Sequence, residues 1–253
     1  MSRQPVVRNR NPLLDSVFSA MVSSSGFQTT VPWSARMENP IDHYWRLRLA
    51  DLQAVLEQNN FVVYRVGTAK EAAALVQERI IAELNPKSVS WGGSMTLMST
   101  GLYEALRTAS GIDVIDTFDK NAPAGEILER RRRALLSDLF LTGTNAVTET
   151  GLLVNLDMIG NRIGGLTFGP RNVVILAGRN KVVPDVEEAM ARIRHYTAPV
   201  NAMRLDKKTP CVKTGFCENC SSPDRICNTW TITEKSFPKG RIRIVLINQD
   251  LGL

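Results

Sequence analysis

Three things are scarce in this sequence. No stretch approaches the ~20 uninterrupted apolar residues that cross a bilayer as a helix. Histidine occurs only as His43 and His195, one near a helix start and one on an amphipathic helix, where each reads as a surface or packing residue, so a histidine-based hydrolytic metal site or a catalytic triad is poorly supported. Cysteine is missing everywhere except between Cys211 and Cys227, which excludes a disulfide-stapled scaffold built along the chain. Internal repeats and low-complexity tracts are also absent. Neither the Gly-Lys-Ser/Thr ending of a Walker A loop nor a G-x-G-x-x-G dinucleotide fingerprint occurs.

What is present is ordinary for a globular protein. The chain has 253 residues, 43% of them hydrophobic and 22% charged. That length buries a full core without cross-links. The formal net charge is +6, and half of it comes from residues 1–36, where Arg3, Arg8, Arg10 and Arg36 face one acid, Asp15. That segment is rich in Ser, Asn and Pro and reads as a flexible or loosely docked arm. Its most apolar part, Leu13 to Val22, is interrupted by Asp15 and two serines and lacks a cleavage site, so a cytoplasmic location is expected. The run Arg130 to Arg133 sits in ILERRRRALLSDLF. Ile127, Leu128, Leu135 and Leu136 there give a helix its apolar face and the arginines a solvated one. No basic strand interleaved with aromatics accompanies it, so no nucleic-acid partner is expected.

Periodicity organises the rest. Asn39-Pro40 caps and starts a helix carrying Ile41, Tyr44, Trp45, Leu49, Leu52, Val55 and Leu56. Strands are expected at 61–66, 88–91, 112–115, 139–142, 152–154, 173–177, 229–233 and 242–247. Helices are expected at 70–84, 97–107, over the arginine run, and at 184–196. Alternating strands and helices give an α/β fold, a mostly parallel sheet with helices on both faces. Ligands of such sheets lie beyond the carboxyl ends of the strands, which directs attention to three loops.

The first loop, SWGGSMT, places Gly92 and Gly93 after a strand, with Ser94 and Thr96 entering a helix. Glycines let backbone amides approach an anion and the hydroxyls add donors; a tight turn with Ser94 as a helix cap is the competing reading. The second, TGTNAVTETGLLVN, crowds Asn145, Glu149 and Asn155 around two glycines. Glu149 is the only carboxylate between Asp138 and Asp157 and the candidate acid/base, against a purely structural capping role. The third, AGRNKVVPD, brings Lys181 to the end of the most apolar strand, where a cation neutralises a carboxylate or phosphate or is simply a surface charge.

The cysteines are spaced C-x5-C-x2-C-x6-C over Cys211, Cys217, Cys220 and Cys227. Four thiols this close converge on one metal at little loop-closure cost. Two disulfides or unrelated free thiols are the rivals. Only Cys217/Cys220 has the spacing of a zinc hairpin, and the wider outer gaps suit a four-cysteine 4Fe–4S iron–sulfur cluster somewhat better than zinc.

Together, VSWGGSMT, TGTNAVTETGLLVNLDMIGNR, FGPRNVVILAGRNKVV, the TPC…SPDRICN cysteine segment 209–228 and the ending INQDLGL resemble the LUD domain family, bacterial proteins associated with lactate utilisation. The resemblance spans residues 37–253. It implies a ribose-5-phosphate isomerase/CoA-transferase-like α/β fold with a Cys-rich C-terminal insertion. It also implies a role in oxidising lactate or a related small organic acid beside iron–sulfur or oxidoreductase partner proteins, with Trp230 and Arg225 tuning the cysteine centre. Gly92, Gly93, Ser94, Thr96, Asn145, Asn155 and Lys181 would then hold the small anionic metabolite. The second loop is also similar to a stretch of methylthioribose-1-phosphate isomerase relatives, which use an aspartate where this chain has Asn145. Two other readings stay open: an isomerase or transferase acting on a phosphosugar or CoA ester with a structural zinc, and a non-catalytic metabolite-binding subunit. Oligomeric state is left open.

Overall fold

The structure is a computed structural model and describes residues 39–253; the expected N-terminal arm lies outside them. Residues Pro40–Leu253 form one compact unit. The helix α1 (Pro40–Gln58) buries Leu49, Leu52 and Leu56, whereas Ile41 and Tyr44 of the expected apolar stripe are exposed. Then come β1 (Val62–Val66) and a helical run made of α2 (Ala69–Ala74), a π turn (Leu75–Ile80) and α3 (Ile81–Leu84). Asn85 ends the run in the left-handed conformation, φ 42°, before Pro86.

The next segment contains β2 (Ser88–Trp91), α4 (Met95–Ser99), α5 (Leu102–Arg107), β3 (Asp113–Ile115), α6 (Ala124–Ala134) and β4 (Leu139–Gly143). The single helix expected at 97–107 is two helices, because Gly101 takes φ 76° between them, a conformation that costs glycine little. The arginine helix also departs from expectation. Leu136 lies beyond its last turn and is 84% exposed, and Ala134 is the residue buried from α6. Arg130 pairs with Asp119 at 3.0 Å and Glu126 at 2.6 Å, and Arg132 pairs with Glu129.

The chain continues through β5 (Ala146–Thr148), β6 (Leu153–Asp157), α7 (Asn161–Thr167), β7 (Asn172–Gly178), a 3-10 turn (Arg179–Lys181) and β8 (Val182–Val183). A second helical run joins α8 (Val186–Arg192), a π turn (Ile193–Thr197) and α9 (Ala198–Arg204). It outlasts the expected end at 196 because Pro199 enters in the first turn of α9, directly after the widened backbone, where its missing N–H costs little. The short α10 (Pro210–Thr214), β9 (Thr229–Thr233) and β10 (Ile242–Ile247) complete the order.

Six strands form one sheet in the order β1-β10-β7-β4-β2-β3, every pairing parallel. Its faces follow the two-residue period of a strand. Val173, Ile175 and Ala177 of β7 pack with Phe140, Ile244 and Leu246 against α1 residues on one side. Val174 and Leu176 pack with Leu139, Leu141, Val245 and Ile247 on the other, together with Trp91, Leu97 and Leu102. The expected parallel sheet with helices on both faces is therefore present. A second, four-stranded sheet, β8-β5-β6-β9, was not expected. The loop read as irregular between 143 and 151 contains its strand β5.

Strands β2 and β4 are neighbours whose chains leave in opposite directions, β2 toward β3 and β4 toward β7. That is a switch point in strand order, where a crevice opens at the carboxyl ends. The loops after Trp91, Gly143, Gly178 and Ile247 all emerge at that edge.

Candidate functional site

A cleft of about 900 Å³ opens at this switch point. Its polar wall contains Gly93, Ser94, Thr144, Asn145, Arg162 and Lys181. Its apolar part includes Met98, Phe118, Met158, Leu205 and Leu253.

Arg162 is the centre of the polar wall and was not anticipated from sequence. It opens α7 and is 7% exposed. Its Nε donates to Asp157 Oδ1 at 2.9 Å. Nη1 donates to Gly143 O at 3.2 Å and Asn155 Oδ1 at 2.5 Å. Nη2 donates to Asn145 Oδ1 at 2.7 Å and Leu156 O at 3.3 Å. All five donors of the guanidinium are therefore engaged. Asp157 also accepts from the backbone N–H groups of Arg162 and Ile163, at 3.1 and 3.2 Å, so the same carboxylate caps α7 and neutralises the arginine in its first turn. The far end of α7 is held by Arg241, which donates to the carbonyls of Gly165, Leu166 and Pro170 at 2.7–2.9 Å.

The two asparagines serve this hub. Asn145 Oδ1 accepts from Leu156 N at 2.9 Å as well as from Arg162. Asn155 Oδ1 accepts from Thr144 Oγ1 and Asn145 N, both at 3.1 Å. Asn155 is fully buried and stands behind the cleft, while Asn145 lines it.

Lys181 lies at the end of the 3-10 turn after β7 and is 4% exposed. Its Nζ donates to Thr144 O at 3.0 Å, its one hydrogen bond among the described residues. Burial, reinforced by the positive charges of Arg192 and Arg162, pushes its ammonium down to about 7. Arg192 of α8 donates to Asn180 O at 3.1 Å, Asn145 O at 3.0 Å and Thr197 Oγ1 at 2.7 Å, and burial lowers its pKa too. Of these three cations only Arg162 has a carboxylate partner among the described residues, Asp157; Glu104, Asp116 and Asp119 line other parts of the cleft.

In the first loop, Ser94 Oγ accepts from Leu97 N at 3.1 Å and caps α4. Gly93 and Ser94 line the cleft, while Gly92 is tucked behind, where a Cβ would meet Arg162 and Phe140 at 3.0 Å. Thr96 is buried, and its Oγ1 donates to Leu251 O at 3.2 Å. A Cβ on Gly252 would stand 2.6 Å from Thr96 Oγ1 and 3.4 Å from Lys181 Nζ. The INQDLGL ending thus forms a wall of the site, a role its sequence gave no chemical reason to expect. Glu149 lies elsewhere: it forms an ion pair with Arg48 of α1 and is not among the residues lining the cleft.

The four cysteines line one small cavity of about 20 Å³, together with Arg194, Ala198, Pro199, Ala202 and Ile226 among others. None is in a disulfide, and all are partly buried. Arg225 braces the segment, donating from Nη1 to Cys220 O at 2.6 Å and from Nε to Cys227 O at 2.9 Å. Asp224 receives Lys208 N at 2.8 Å and Lys207 Nζ at 3.2 Å. Burial pushes the Cys227 thiol up, against the pull of Arg225. Among the described residues no three of the Cys, His, Asp or Glu side chains are grouped tightly enough to hold a metal ion. The donor set of four unpaired thiols around one cavity nevertheless suits a thiolate-bound metal, and neither His43 nor His195 lines it.

The two cavities share a wall. Ile226 lines both, and the helical run carries Thr197, Asn201 and Arg204 on the cleft and Ala198 and Ala202 on the cysteine side, as helical spacing dictates. Among the described residues no helix is long and apolar enough to cross a membrane.

Comparison with known proteins completes the description. The family model described as the LUD domain matches residues 49–247. A DUF162 family protein from Deinococcus radiodurans, solved by crystallography, is 16% identical, with 80% of this chain and 97% of that chain covered and a TM-score of 0.42. No curated protein matches the chain.

Proposed function

The chain belongs to the LUD domain family, and from that premise we propose that it binds lactate or a related small organic acid in the cleft and takes part in the oxidation of that acid. The observation that carries this reading is the imbalance of charge in the polar wall. Lys181 and Arg162 are buried in that wall with Arg192 beside them, and among the described residues only one of the three, Arg162, has a carboxylate partner, Asp157. Buried charges are costly unless matched, and a bound carboxylate supplies the missing negative charge.

The roles divide by how many donors each group has left. Arg162 is saturated, so it acts through its field and by holding Gly143, Asn145 and Asn155 in place. Lys181 has donors to spare and makes the direct contact, with the Gly93–Ser94 backbone beside it. The Leu251–Leu253 segment and the apolar residues of the cleft exclude water, which strengthens the contact.

Cys211, Cys217, Cys220 and Cys227 would hold the metal centre, with Arg225 fixing the backbone between them. As a 4Fe–4S cluster it would supply one-electron chemistry to an oxidoreductase partner; as zinc it would only staple the segment. The shared wall at Ile226 and α9 would keep acid and centre within one helix thickness of each other.

Anaerobic purification and titration calorimetry test the reading. A brown protein with absorbance near ~400 nm, and L-lactate binding that Lys181→Met abolishes, are the expected results. A colourless, zinc-loaded protein removes the redox role, and no binding of L-lactate, pyruvate or phosphate removes the anion site. The cleft volume favours a second reading, since pockets of roughly 300–1,000 Å³ hold ligands well beyond a three-carbon acid. On that reading the ligand is a phosphosugar or CoA ester, and binding of those compounds without L-lactate binding would select it.

A further inference from the structure

Lys181 is unlike the two arginines whose charges act on it. Arg162 spends every donor on the protein, and Arg192 is tied to two carbonyls and a hydroxyl. An ammonium has three N–H donors, and Lys181 Nζ uses one, toward Thr144 O. No carboxylate pairs with it among the described residues, since Asp157 is committed to Arg162 and two backbone amides. A lysine placed for structure has an acid partner, and one placed as a standing charge keeps contact with water. Lys181 has neither: it is 4% exposed, flanked by two guanidinium groups, closed over by Gly252, and still part of the cleft wall. Desolvation beside fixed positive charge is the setting in which a lysine amine becomes a nucleophile.

We propose that Lys181 captures 2-oxo acids covalently, its Nζ adding to the C2 carbonyl carbon to give a carbinolamine that loses water and leaves an imine. The nitrogen lone pair forms the C–N bond, and the carbonyl π pair moves to oxygen. That oxygen leaves as water with the two amine protons, so neither oxidant nor reductant is consumed. The inference rests on the organic-acid reading of the cleft and deepens it, because a 2-oxo acid is what oxidation of a 2-hydroxy acid yields. Burial and the charges of Arg192 and Arg162, the ionised groups facing Nζ, leave a large share of the amine free at neutral pH. Both arginines stay cationic through this range, so capture rises as pH rises through about 7, far below the ~10.4 at which exposed lysines lose their proton.

The full-length protein, incubated with pyruvate and sodium cyanoborohydride at pH 7 and then peptide-mapped by mass spectrometry, tests this. The expected result is one reduced pyruvyl adduct per chain on the Lys181 peptide, diminished by excess L-lactate and lost in Lys181→Arg. The exposed lysines Lys87, Lys235 and Lys239 are internal controls, so the wild-type map decides even if the variant does not fold. Labelling of Lys181 at least ~10-fold above theirs supports the nucleophile; an adduct spread evenly, or none on Lys181, overturns it. Calorimetry with pyruvate and L-lactate separates the two layers. Pyruvate that binds without being trapped overturns the nucleophile and leaves the acid site standing, whereas no binding of either acid overturns both.

Discussion

The charged cleft and the cysteine cavity are built next to each other by opposite means. The cleft's polar wall hangs on strands β4 and β6 and helix α7. Its central guanidinium is locked by partners drawn from two stretches of chain, Gly143 with Asn145 and Asn155 through Asp157. The cysteine cavity is carried by loops and the short α10, and its thiols are half-buried and unbonded to one another. Arg225 braces the carbonyls of Cys220 and Cys227, and Asp224 holds Lys207 and the Lys208 amide. The difference teaches that the first site is preorganised by the fold, while the second has its backbone braced and its four thiols unbonded to one another.

The largest effect should follow from breaking the lock. Arg162→Met leaves Asp157 buried without its cation, a loss that costs about 3–5 kcal/mol. Chemical denaturation should show that loss, with α7 protection against hydrogen exchange falling first. A variant as stable as wild type would mean that the hub is not the rigid half of the comparison.

Lys181→Met should act the other way. In the folded chain the ammonium loses its proton near 7, and in the unfolded chain near 10.4. Between those values the unfolded state binds more protons, so wild-type stability rises with pH across this window. The full burial cost is present below pH 7. Replacing the lysine should therefore stabilise by about 3–5 kcal/mol at pH 6, less about 1 kcal/mol for the orphaned Thr144 carbonyl, with the gain fading toward pH 10. Denaturation curves of the two proteins at both pH values check this. A gain independent of pH would mean that the amine is not held in the state described.

The cysteine lobe should respond locally. Stripping metal from a loaded protein should speed amide exchange over residues 209–228 by at least ~10-fold and leave β4, β7 and β10 unchanged. Slowing across the whole sheet on reloading would erase the distinction between the two regions.

How much of this was readable in the sequence follows the same division. Parallel strands buried on both faces announce themselves as apolar runs, so VVILA and IRIVLI marked β7 and β10, and the loops after β2, β4 and β7 did converge. Lys181 was visible because it follows the strongest strand. Arg162 was not, because an arginine beside Gly160 and Asn161 looks like a turn residue until Asp157, Asn145 and Asn155 fold around it. Strand β5 was hidden for a related reason: its three residues pair with β6 and β8 of a second sheet, and nothing local in NAVT demands extension. Asn145 and Asn155, expected to hold a ligand, both accept from Arg162 through Oδ1, Asn145 in the cleft wall and Asn155 behind it.

Glu149 is where sequence and structure diverge most, and it gives the smallest predicted effect. Its position among glycines and hydroxyls suggested an acid/base, and a carboxylate acting there would need to reach the cleft. It instead meets Arg48 of α1, with both side chains more than one-third exposed. An ion pair so open to water contributes about 0–1 kcal/mol after screening. Glu149→Gln should thus shift the denaturation midpoint slightly and leave both L-lactate affinity and imine trapping within ~2-fold of wild type, since neither Lys181 nor the hub touches it. A loss of binding or trapping beyond ~10-fold would place a catalytic carboxylate outside the cleft and require the α1–Glu149 contact to open during function.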